Sequence, residues 1–148
     1  MSQTIVVGLD LSEGSVSALR HVIALTSEVE TEIHVVRCIE EETEETVEDA
    51  QRVEQMTAAR DEVEQLLKDV TSAPSTISTH VLFSVSPAAE LCQLSEKVAA
   101  DLVVVGAGGA GGSNCAFAVG PVAEGVLRGA GRPVLVFRAP KVATATQD

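Results

Sequence analysis

Five short runs rich in β-branched residues punctuate this chain, and a segment with helical spacing separates each from the next. The runs are residues 4–9 (T-I-V-V-G-L), 32–39 (E-I-H-V-V-R-C-I), 77–83 (I-S-T-H-V-L-F), 102–105 (L-V-V-V) and 134–137 (V-L-V-F). After the first run, Val16, Leu19, Val22, Ile23 and Thr26 recur at intervals that share one side of a helix. After the second comes a longer segment with Val53, Met56, Val63, Leu66, Leu67 and Val70 on one stripe and acids elsewhere. Ser86-Pro87 has the form of an N-cap followed by proline at the first helical position, and Leu91, Leu94 and Val98 carry that helix. Pro121 opens a fourth helix that ends near Gly129 or Gly131. Parallel strands need crossover segments, usually helical, and are covered on both faces. The alternation therefore predicts an α/β fold, a Rossmann-like open five-stranded parallel sheet with helices on both faces. A chain of 148 residues holds one such domain. Its expected limits are residues 1–140, with 141–148 a loose C-terminal tail.

Composition narrows the function classes. Aromatic residues make up only 2% of the chain, so the core rests on Val, Leu, Ile and Ala, and little surface is left on which bases could stack. A formal charge of −12 opposes binding to a phosphate backbone. Between Glu40 and Asp69 stand twelve acids against Arg52, Arg60 and Lys68, nine of the net negative charges. That run describes a solvated helix face, and with only three lysines it also suits a salt-rich, halophilic cytoplasm. Cys38, Cys92 and Cys115 are widely spaced, without the pairing pattern of a disulfide framework or zinc site. The chain enters its first strand without a basic region and apolar signal core, and no apolar stretch reaches membrane-spanning length. The expectation is a cytoplasmic protein whose partners are neither nucleic acid nor membrane.

The most informative stretch is G-A-G-G-A-G-G-S-N, residues 106–114, directly after the apolar fourth strand. Glycines in that place let backbone N–H groups approach a phosphate without side-chain obstruction, although a plain connecting loop has the same composition. The spacing Gly106-x-Gly108-x-x-Gly111 is that of the dinucleotide fingerprint. It follows the fourth strand rather than the first, however, and lacks the acid at the end of the next strand. No Gly-Lys-Ser/Thr is present to make a Walker loop. In an open α/β sheet, ligands gather at the carboxyl ends of the strands, which makes Asp10, Cys38 and the Gly106 loop candidates for one crevice.

Three segments together resemble the universal stress protein family: I-V-V-G-L-D-L-S-E at 5–13, D-L-V-V-V-G-A-G-G at 101–109, and G-P-V-A-E-G-V-L-R-G-A-G-R-P-V-L-V-F-R at 120–138. The resemblance implies the strand order 3-2-1-4-5, a homodimer through the Val134–Phe137 strand, and a crevice for an adenine nucleotide, ATP or AMP. It implies that Leu9 and Asp10 border the nucleoside end, that Cys38 offers its backbone to adenine, and that Gly106, Gly109, Gly120 and Val122 line the phosphate end. Family members that bind ATP have Gly, two residues, Gly, nine residues, Gly, then Ser or Thr. Here Gly106 and Gly109 match, but ten residues precede Gly120, and Pro121 stands where the hydroxyl is expected. Proline brings neither hydroxyl nor N–H. Ser113, with Asn114, could supply donors in their place.

No acid, base and nucleophile assemble into a catalytic set. His21, His34 and His80 lie on separate elements without a second ligand at metal spacing, and Cys115 has no neighbouring histidine in sequence. Asp10 could equally cap the first helix together with Ser12. The expectation is a stress-response regulatory module, not an enzyme. The alternatives are an interaction dimer that binds no nucleotide and a slow ATP hydrolase.

Overall fold

In the computed structural model, residues 2–41, 49–70, 76–108 and 119–138 are described. They form β1 (Gln3–Gly8), α1 (Glu13–Leu25), β2 (Thr31–Glu40), α2 (Asp49–Val70), β3 (Thr76–Ser84), α3 (Pro87–Lys97), β4 (Leu102–Gly106), α4 (Pro121–Gly129) and β5 (Val134–Phe137). All strand pairs are parallel, in the order β3-β2-β1-β4-β5. The chain winds outward from β1 through β2 to β3, then crosses to β4 and β5. The reversal of strand order falls between β1 and β4. The tail at 141–148 lies outside the described residues.

Each face of the sheet has its own core. Ile5, Val7, Ile33, Val35 and Val104 face Ala18, Leu19 and Val22 of α1 and Val63 of α2. Val6, Val36, Val103 and Val105 face Leu91 of α3 and Ala123 and Val126 of α4. Both sides of the central strands are thus dry, which is why Ile5–Val7 and Leu102–Val105 are apolar without interruption. Ser86 caps α3 as its spacing indicates, accepting a hydrogen bond from the Ala89 N–H with Pro87 in the first turn.

Two elements pack differently from their apolar pattern. The helical period places Val53 on the buried stripe of α2, yet it is 65% exposed, and the helix buries Val63 of that stripe together with Ala59. In those opening turns Arg52 meets the sheet, its guanidinium 5.0 Å from the Phe83 ring centre and paired with Glu41. On α1 the small residues Ser15 and Ala18 are buried beside the apolar ones. Smallness is what that contact needs. A Cβ on Gly106 would lie 3.3 Å from the carbonyl carbon of Gly14 and from the Ser15 nitrogen, so α1 meets the end of β4 backbone to backbone.

Candidate functional site

The carboxyl ends of β1, β2 and β4 and the first turn of α4 converge at the strand-order reversal, where open α/β sheets place ligands. Leu9 is buried and donates its N–H to the Val36 carbonyl at 2.9 Å, extending the β1–β2 ladder by one residue. Asp10, next in the chain, is exposed. Its Oδ1 accepts from the Ser12 N–H at 2.9 Å, and its own N–H donates to Ser15 Oγ at 3.3 Å. Ser12 is the N-cap of α1, accepting from the Ser15 N–H. The two readings of Asp10 are thereby separated: Ser12 caps the helix, while Asp10 braces the turn before it. Leu11 between them has φ 65°, a left-handed backbone that costs a non-glycine residue energy. Burial pushes the Asp10 carboxyl up, but hydrogen bonds from Ser12 and Ser15 outweigh it and hold the group below its ordinary value. The turn therefore presents a carboxylate.

Cys38 contributes its backbone rather than its thiol. Burial, then the charge of Glu90, push the thiol up to about 11, and its side chain packs with the α3/α4 core, as does Cys92. The Val36 carbonyl points to β1, and a strand repeats its orientation every second residue. The Cys38 N–H and C=O therefore point the same way, past the end of β1 and into the crevice. One donor meets the Cys38 carbonyl there: Arg37 Nη1, at 2.8 Å.

At the opposite side, Ala107 donates to the Phe137 carbonyl at 2.8 Å, and its own carbonyl accepts from the Gly120 N–H at 2.6 Å. These bonds tie β4, α4 and β5 together. They also commit the Gly120 N–H, so that glycine shapes the helix start without offering a free donor. Gly120 is the N-cap of α4 and provides no side-chain hydrogen bond, and Glu124 makes the first bond of the helix to the Gly120 carbonyl. Pro121 has no N–H. The Val122 and Ala123 N–H groups remain outside the helical ladder at the positive end of the dipole, which favours an anion. Among the described residues, nothing lies within 4 Å of a Cβ built on Gly108. Gly109, Ser113, Asn114 and Cys115 lie outside the described residues.

The structure thus brings Leu9, Asp10, Cys38, Gly106, Gly120 and Val122 to one end of the sheet. Sequence reasoning missed Ser15, which the burial of a hydroxyl at a helix start could have indicated, and Arg37, for which the pattern held no signal. It also separated two histidines that meet. His34 Nδ1 and His80 Nε2 are 2.9 Å apart on neighbouring strands, away from the crevice. Among the described residues no group of three His, Cys, Asp or Glu side chains could hold a metal.

Comparison with known proteins agrees with this architecture. The family model described as the universal stress protein family matches residues 1–138. Among solved structures, universal stress protein UspA from Lactobacillus plantarum has 22% identity and a TM-score of 0.75, over 92% of this chain and 97% of that one. The universal stress protein from Archaeoglobus fulgidus in complex with dAMP has 20% identity and a TM-score of 0.60, over 91% and 97%. A universal stress protein family protein from Arabidopsis thaliana with AMP bound has 12% identity and a TM-score of 0.63, over 98% and 97%. No curated protein matches the chain at a significant level.

Proposed function

The chain belongs to the universal stress protein family, and from that premise we propose that its crevice takes up an adenine nucleotide weakly and reversibly. In this reading the protein is a stress-response regulatory module, with occupancy of the crevice shifting the order of the surrounding loops and so the binding of partners. The carrying observation is the convergence, at the strand-order reversal, of the Asp10 carboxylate, the outward-facing Cys38 backbone and the uncapped start of α4. Relatives of the same fold hold AMP and dAMP. Calorimetric titration with AMP and ATP tests the proposal. Micromolar to millimolar binding supports it, and absence of binding at millimolar nucleotide would replace it with the interaction-dimer reading. Phosphate release from ATP above a buffer control would overturn the assignment as a non-enzyme.

The working unit is a homodimer. β5 lies at one edge of the sheet, is apolar and partly exposed along its length, and contains neither lysine nor proline. Such an edge invites pairing, and a two-fold contact there covers both copies at once. Light scattering should give twice the chain mass at micromolar concentration; a stable monomer would count against the assignment. No described helix is long and apolar enough to cross a membrane. A cytoplasmic place, tested by cell fractionation, fits that observation and the acidic composition.

A further inference from the structure

The geometry points to Arg37 as the specificity-determining residue of the base end, one that raises the crevice's affinity for a 6-oxo purine relative to adenine. This inference rests on the nucleotide reading above and deepens it. Its starting point is the hydrogen bond from Arg37 Nη1 to the Cys38 carbonyl, 2.8 Å long.

That carbonyl holds a particular place. The Val36 carbonyl accepts from the Leu9 N–H, and Glu41 donates its N–H to the Ser84 carbonyl of β3, so the backbone groups of even-numbered β2 residues face β1 and those of odd-numbered ones face β3. Cys38 is the even-numbered residue just past the last β1 contact. Its N–H and C=O stand side by side over the crevice. Left alone, the pair offers one donor and one acceptor. A 6-amino purine complements it, because the exocyclic amine donates and the adjacent ring nitrogen accepts.

Arg37 changes that count. A guanidinium carries five donors and no acceptor. One of them takes a lone pair of the Cys38 carbonyl, and its positive charge lies beside the remaining one, where an amine would have to donate. Arg37 Nε is buried and without a hydrogen-bond partner. The donors left for a ligand are thus the remaining Nη protons of the group that meets the carbonyl. An edge rich in donors and positive charge complements an acceptor oxygen, the O6 of hypoxanthine or guanine. The same count makes arginine the common partner of the guanine O6/N7 edge in nucleic acids, while adenine is read by groups that both donate and accept.

The test uses AMP and inosine monophosphate, which differ only at position 6 and in the neighbouring ring proton. Both are titrated calorimetrically into the full chain and into Arg37→Val, which keeps a strand-forming residue and removes every donor. The measured quantity is the affinity ratio of inosine monophosphate to AMP. Arg37→Val should lower it about tenfold, the value of one charge-assisted hydrogen bond. Arg37→Gln keeps an uncharged amide donor and should give an intermediate ratio; it decides the matter should Arg37→Val fail to fold. A ratio that is unchanged or higher in the variants would overturn the role of Arg37 and leave the nucleotide pocket standing. No binding of either nucleotide by any of the three proteins would overturn both.

Discussion

Pro121 stands where the resemblance to the universal stress protein family leads one to expect Ser or Thr, and it opens α4. Proline is well suited to the first turn of a helix, since its φ is already helical and that N–H has no partner within the helix. In the proposed nucleotide reading, the same ring takes away a hydroxyl and an N–H that would face a phosphate. Gly120 cannot compensate, because its N–H is held by the Ala107 carbonyl. Hydrogen bonds to a charged group are worth about 1.5–3 kcal/mol each. One lost bond therefore weakens triphosphate binding about tenfold to a hundredfold. AMP, which does not reach the distal contacts, loses much less. The native protein should discriminate poorly between ATP and AMP, and Pro121→Ser should tighten ATP selectively by at least tenfold in parallel titrations. Tight, ATP-selective binding by the native chain would show that other donors, Ser113 and Asn114 foremost, take the place of the missing ones.

Two pairs of elements carry predictions of their own. Helices α3 and α4 approach so closely that a Cβ on Gly125 would lie 2.6 Å from the Ala88 Cβ. Alanine there gains about 1 kcal/mol in helix propensity, but neither methyl group can turn aside, so the helices must separate. Overpacking of this kind costs roughly 1–3 kcal/mol. Gly125→Ala should therefore lower the urea midpoint, and Ala88→Gly added to it should restore part of the loss. If Gly125→Ala instead raises the midpoint, the close approach is wrong. Strands β2 and β3 share the second feature, the His34–His80 contact. Burial, then the charges of His34, Arg60 and Lys97, hold His80 below the ordinary histidine value of 6.5. The unfolded chain then binds a proton more readily than the folded one as pH falls through 6.5. Stability present above that pH is lost on acidification. Urea midpoints should drop between pH 7.5 and 5.5, and His80→Gln should flatten that slope; an equal slope in the variant would remove His80 as its source.

For the molecule as a whole, charge is the governing quantity. Nine of the twelve net negative charges fall between Glu40 and Asp69, a stretch that includes most of α2. That helix buries only Ala59 and Val63 among its described side chains, so most of its acids face solvent and repel one another. The screening length falls from about 10 Å at 0.1 M salt to about 3 Å at 1 M. Thermal melts should move upward over that range. A flat or falling midpoint would argue against both the self-repulsion and the expectation of a salt-rich cytoplasm.

The chain by itself determined the kind and order of its elements, which rest on local and periodic signals. Apolar runs such as Leu102 to Val105 can only be strands buried on both faces, and Ser86-Pro87 starts a helix through contacts made within four residues. The candidate crevice was legible to the same extent, since Asp10 follows β1 and Gly106 ends β4 wherever those strands lie. What only the tertiary structure decided depends on register and on the distance between elements. Val53 follows the helical period as faithfully as Val63, yet only the placement of α2 against the sheet exposes the one and buries the other. His34 and His80 are 46 residues apart and meet because β2 and β3 pair with His34 beside Ser78. Gly125 gives no sign in sequence that Ala88 lies against it. Arg37 reads as a polar residue in a strand until the end of β1 at Gly8 leaves the next carbonyl of β2 open to the crevice. A side chain's type is written in the chain, but what it touches is set by where its neighbours stop.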